Sequence, residues 1–82
     1  MLNLEVKTKL SPEEVTGRIK KFFGKGGVGL NLAEETGQCL FFEGGGGHVT
    51  ATVCQEEGKS RITLTTQEWD FQVKEFASSL PK

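Results

Sequence analysis

Between residues 30 and 64, apolar residues alternate with polar ones in four short bursts. The gaps between bursts have the parity that keeps the apolar side chains on one side of a sheet. The bursts are Leu30 and Leu32; Leu40 and Phe42; Val49, Ala51 and Val53; Ile62 and Leu64. Successive strand side chains point to opposite faces, so a slip of one residue turns a strand over. Joining even positions to even ones requires an odd loop, which a three-residue turn over Glu35, Thr36 and a left-handed Gly37 supplies. Leu32 then lies opposite Leu40. Joining even to odd requires an even passage through the glycines at 44–47, which pairs Phe42 with Val49 and Leu40 with Ala51. The turn at Glu57 and Gly58 is again even and pairs Val53 with Ile62 and Ala51 with Leu64. Three loops agree on one core face, and the segment reads as a four-stranded antiparallel meander.

Residues 2–10 carry the same alternation, with Leu2, Leu4, Val6 and Leu10 between polar neighbours, and predict a first strand. Ser11, Pro12 and Glu14 then signal a helix start: a capping serine, a proline at the first helical position and the glutamate of a capping box. Val15, Ile19, Phe22 and Phe23 form its apolar stripe, and Gly24 suits the left-handed residue that stops a helix. After the meander, Thr65 and Glu68 form a second possible capping box. Trp69, Val73, Phe76, Ala77 and Leu80 continue as a helical stripe that Pro81 ends. The prediction is an α+β two-layer sandwich of order β-α-β4-α, residues 1–82 as a single domain, with a five-stranded, mostly antiparallel sheet carrying both helices on one face. The pattern leaves open whether the first strand pairs with the last or with the second in a parallel β-α-β unit. A chain of 82 residues buries roughly 60 to 65% of its unfolded surface, so stability is expected to be marginal and a spacious internal site is not expected.

Gly24, Gly26 and Gly29 fall at the G-x-G-x-x-G spacing of a dinucleotide-binding loop. In that loop the glycines follow a strand and open a helix, so that unpaired helix amides face the phosphate. Here they follow a helix C-terminus, the negative end of its dipole, where Lys25 fits and phosphate does not. The motif reads as a helix stop and connector.

The β-α-β4-α order resembles one repeat of the TATA-box-binding-protein fold, and an abbreviated helix-grip fold of the START and plant-allergen superfamily. The resemblance spans nearly the whole chain in element order and rests on no sequence motif, so it carries no functional residue with it. It implies a first strand paired with the last, giving sheet order 2-3-4-5-1, and two surfaces for binding: the sheet face without helices, and the space between helices and sheet.

The parity that buries one set of side chains sends another to the far sheet face: Asn31, Ala33, Cys39, Phe41, Glu43, His48, Thr50, Thr52, Cys54, Arg61, Thr63 and Thr65. A face meant only for solvent usually carries more lysine and glutamate, although threonine is also a good strand former. Asn31, Cys39, Phe41, Thr50, Thr52, Cys54, Arg61, Thr63 and Thr65 are therefore the candidate interaction residues, for a second copy of the chain or another protein partner. Phe71, off the stripe of the last helix, is a further candidate contact. The expected function is that of a small non-enzymatic binding module.

No residue set points to catalysis, a metal or a cofactor. Cys39 and Cys54 lack C-x-x-C spacing and come out as diagonal neighbours roughly 7 to 8 Å apart, which disfavours a disulfide. Both lie about four residues along their strands from His48, roughly 13 Å, too far for a shared metal or a Cys-His pair. His48 itself reads as an exposed residue beside the glycine turn. A formal net charge of -1 supplies no field for nucleic acid. Phe41 is the one aromatic residue available for stacking, and Arg18, Lys20, Lys21 and Lys25 belong to the opposite layer. Weak nucleic-acid binding on the sheet face is one alternative; an apolar small ligand between helices and sheet is another, yet the inward positions offer no converging polar groups. No apolar run approaches a membrane span and the first ten residues lack a signal-peptide core, so a cytoplasmic location is expected.

Overall fold

The computed structural model describes residues 2–81. The elements are β1 (Leu2–Thr8), α1 (Pro12–Phe23), β2 (Asn31–Thr36), β3 (Cys39–Gly44), β4 (Gly47–Glu56), β5 (Lys59–Gln67) and α2 (Asp70–Ser79). The five strands form one open sheet of order β1-β5-β4-β3-β2, and every neighbouring pair is antiparallel. β1 therefore pairs with β5 rather than with β2, and the chain is an α+β fold in the predicted order.

Two of the three loop registers come out as the parity requires. Phe42 faces Val49 and Leu40 faces Ala51 across a two-residue turn, Gly45-Gly46, whose φ angles of 59° and 84° suit glycine. Val53 faces Ile62 and Ala51 faces Leu64 across Glu57-Gly58. The β2–β3 register is different. Its turn has two residues, Gly37 and Gln38, Thr36 pairs with Cys39, and a bulge at Ala33 shifts the register so that Leu32 faces Phe42, not Leu40. The odd count that parity demands comes from the bulge, not from a three-residue turn, and Gly37 is not left-handed.

The buried apolar residues form one cluster between the layers: Val15, Ile19 and Phe23 from α1, Val73 and Phe76 from α2, and the inward residues of β3, β4 and β5, with Leu2, Leu4 and Val6 packed at its margin. At its centre Phe23 lies 5.0, 5.8 and 5.5 Å, centroid to centroid, from Phe22, Phe42 and Phe76. The buried polar side chains Thr8, Ser60 and Thr66 each donate to a backbone carbonyl: Thr8 to Pro81, Ser60 to Leu10 at 2.7 Å and Thr66 to His48 at 2.8 Å. Every residue of β2 is exposed, and Leu32, expected in the core, retains 39% of its surface. Two helices, each about 10 Å across, cover only about four strands spaced roughly 4.8 Å apart. α1 lies over β4 and β5 and α2 over β5, which leaves β2 at the margin of their cover, where Lys20 of α1 reaches Glu35 at 2.7 Å.

α1 starts as the sequence predicts. The Glu14 amide donates to Ser11 Oγ at 3.2 Å, and Pro12 opens the helix. Gly24 caps its end with φ −80° and ψ −162°, so it is not left-handed. Glycine is required there and at Gly27 because a Cβ would lie 2.4 Å from the Lys20 carbonyl oxygen and 2.0 Å from that of Phe22. The amides of Gly24, Val28 and Leu30 donate to the carbonyls of Lys20, Phe22 and Phe23 at 2.9, 2.7 and 2.8 Å. The glycine connector thus closes the last turn of its own helix, which satisfies carbonyls that helix ends leave open.

At the other helix the expected capping box between Thr65 and Glu68 does not form. β5 continues to Gln67, Glu68 makes the corner with φ 78°, and Trp69 occupies the cap position without a side-chain capping hydrogen bond. Trp69 instead donates from Nε1 to the Gly44 carbonyl at 3.1 Å and packs its ring on Gly45. Tertiary packing outweighs the local capping signal.

Candidate interaction face

The sheet face away from the helices is ordered in rows by the strand registers. Asn3, Thr65, Thr50 and Phe41 form one row; Glu5, Thr63, Thr52 and Cys39 the next; Lys7, Arg61 and Cys54 a third; Gln67, His48, Glu43 and Asn31 the row at the glycine end. All nine predicted residues, Asn31, Cys39, Phe41, Thr50, Thr52, Cys54, Arg61, Thr63 and Thr65, lie on this face. Eight are half-buried and Asn31 is exposed. The half-burial comes from their own neighbours, since no helix overlies them.

Ala33 is the bulged residue and drops out of the rows, while Glu34 and Thr36 take places opposite Phe41 and Cys39. Asn3, Glu5 and Lys7 join the face as β1 is seated beside β5, as the alternation in residues 2–8 implies. His48 is not an exposed loop residue. It is the second residue of β4, half-buried, with its ring 5.8 Å from that of Phe41 and its buried Nδ1 without a hydrogen-bond partner among the described residues.

Polarity is graded across the face. In the centre, Thr52 Oγ1 lies 3.9 Å from Cys39 Sγ, and Thr65 Oγ1 donates to Asn3 Oδ1 at 3.3 Å. Charges stand at the margins. Arg61 is held by Glu56 at 2.9 Å and Glu5 at 3.3 Å, so its charge is engaged within the chain. Glu34 and Glu43 stand at the opposite corner. At the glycine end the face dips into a shallow hollow of about 530 Å³ lined by Asn31, Phe41, Glu43, His48 and Gln67 among others.

Cys39 and Cys54 are both free and half-buried. His48 pairs with Glu43, and both thiols lie in other rows. Among the described residues no three histidine, cysteine, aspartate or glutamate side chains gather as a metal site. Phe71 stands on α2 with 72% of its surface exposed, away from this face. Among the described residues no helix is long and apolar enough to cross a membrane. In sequence the chain matches no protein-family model, and no curated protein is similar to it.

Proposed function

We propose that the protein is a non-enzymatic cytoplasmic binding module that associates with a second protein, or with another copy of itself, through the open sheet face. One observation carries this reading: both helices pack on the same side, leaving a face whose centre is threonine, cysteine and phenylalanine and whose charges stand at the margins. Such a surface loses little on desolvation at its centre, and interface cores are correspondingly depleted of charge. Two free thiols suit a reducing compartment. The β-α-β4-α order resembles a TATA-box-binding-protein repeat and the helix-grip fold. The resemblance adds no residue to the reading.

The open face is a better surface for binding than the space between the layers, because the rings of Phe22, Phe23, Phe42 and Phe76 occupy that space and an apolar ligand would have to displace them. It is a poor surface for nucleic acid, because Glu34 and Glu43 flank Phe41 and repel phosphate. Sedimentation velocity across a concentration series, with Phe41→Glu beside the wild type, tests the proposal. Phe41→Glu is expected to weaken self-association by removing the contact made through this face. A wild type that shows no association Phe41→Glu can weaken, with amide shifts on β3, β4 and β5 independent of concentration, would overturn it for a second copy.

A further inference from the structure

The two edges of the sheet are built differently. β2 carries a bulge at Ala33, a device that blocks the addition of another strand. β1 has no bulge and no proline. Its seven residues run in unbroken register against β5, so its outer side presents a regular row of backbone N–H and C=O groups with no strand beside them among the described residues. A hollow of about 340 Å³ follows this edge, lined by Val6, Ala77 and Leu80 and, toward the open face, by Glu5 and Lys7. The inward residues Leu2, Leu4 and Val6 are only half-buried, whereas Ala51 and Leu64 in the strands further in are fully buried.

We infer that β1 pairs antiparallel with β1 of a second copy of this chain, about a two-fold axis at Val6. The charges select this register. An antiparallel strand pairing with itself about Glu5 sets Glu5 against Glu5, and about Lys7 sets Lys7 against Lys7; about Leu4 it sets Glu5 against Asn3. Only the axis at Val6 sets Glu5 of each copy against Lys7 of the other, and symmetry forms that pair twice. On the helix side the same register sets Val6 against Val6, extending the apolar row across the junction, and Leu4 against Thr8. Glu5 can take part because Arg61 keeps Glu56 at 2.9 Å as its nearer partner. The pairing joins the two sheets edge to edge and sets their open faces side by side, so a partner bound there would meet two copies of the face.

A charge swap tests the register. Dissociation constants are measured by sedimentation equilibrium for the wild type, Glu5→Lys, Lys7→Glu and the double variant, in the otherwise native chain and with Phe41→Glu, which removes association through the open face. Circular dichroism checks that each is folded. Each single variant opposes like charges twice and is expected to weaken the dimer about tenfold, whereas the double variant restores the pairs in reverse and returns to within about threefold of the wild type. The dimer is expected to survive Phe41→Glu. A strict monomer at millimolar concentration with Phe41→Glu, or single variants that dimerise like the wild type, or a double variant no tighter than the singles, would overturn the inference and leave the open-face reading standing.

Discussion

At the scale of the residue, steric room decides more than residue type. Gly26 and Gly27 are adjacent, and sequence offers no ground for distinguishing them. A Cβ on Gly27 would lie 2.0 Å from the Phe22 carbonyl oxygen, while one on Gly26 meets nothing within 4 Å. Gly27→Ala is expected to lower the unfolding free energy by about 1 to 3 kcal/mol, the cost of forced overpacking. Gly26→Ala, whose φ is not left-handed, should be neutral or stabilising by up to about 1 kcal/mol through a less flexible unfolded chain. Urea unfolding of the two variants checks both outcomes. His48 shows the same limit: a polar residue beside four glycines reads as exposed, and only the extension of β4 into the turn seats it against Phe41. The nine residues of the candidate face were legible because each needed only its parity within a strand.

At the scale of the element, signals confined to a few neighbouring residues survive where packing does not compete with them. The Ser11 cap does survive, and Ser11→Ala should cost about 1 kcal/mol in thermal or urea unfolding. The Thr65–Glu68 signal does not, because β5 gains cross-strand partners in both directions, Asn3 for Thr65 and His48 for Gln67, by staying extended. The β2 bulge was illegible for a different reason. A three-residue turn and a two-residue turn with a bulge supply the same parity, so hydrophobic alternation cannot separate them. Deleting Ala33 should preserve the Leu32–Phe42 register and flatten β2, raising the tendency to add strands at that edge. A shift to larger species in light scattering, without loss of circular-dichroism signal, is the expected result.

At the scale of the whole molecule, the core depends on four phenylalanines contributed by β3 and both helices. Phe23 is fully buried and neighbours the other three. Phe23→Ala should cost about 3 to 5 kcal/mol, a large share of the roughly 5 to 15 kcal/mol typical of a folded domain. Calorimetry is expected to show the cooperative transition strongly lowered or lost. Leu32→Lys, on a strand the helices do not cover, should change stability by less than about 0.5 kcal/mol. The two leucines of successive bursts, Leu32 and Leu40, thus differ in burial because two helices are too narrow for five strands.

The order of elements, the inward face of β3, β4 and β5, and the existence of a second, threonine-rich face were determined by the sequence alone, because alternation is a property of each strand and turn length links one strand to the next. The partner of β1, the bulge in β2, the burial of His48 and the corner at Glu68 were decided only by the tertiary structure. Each depends on a competition between a local preference and contacts with residues far away in the chain, and the energy of those contacts is not written in any single segment.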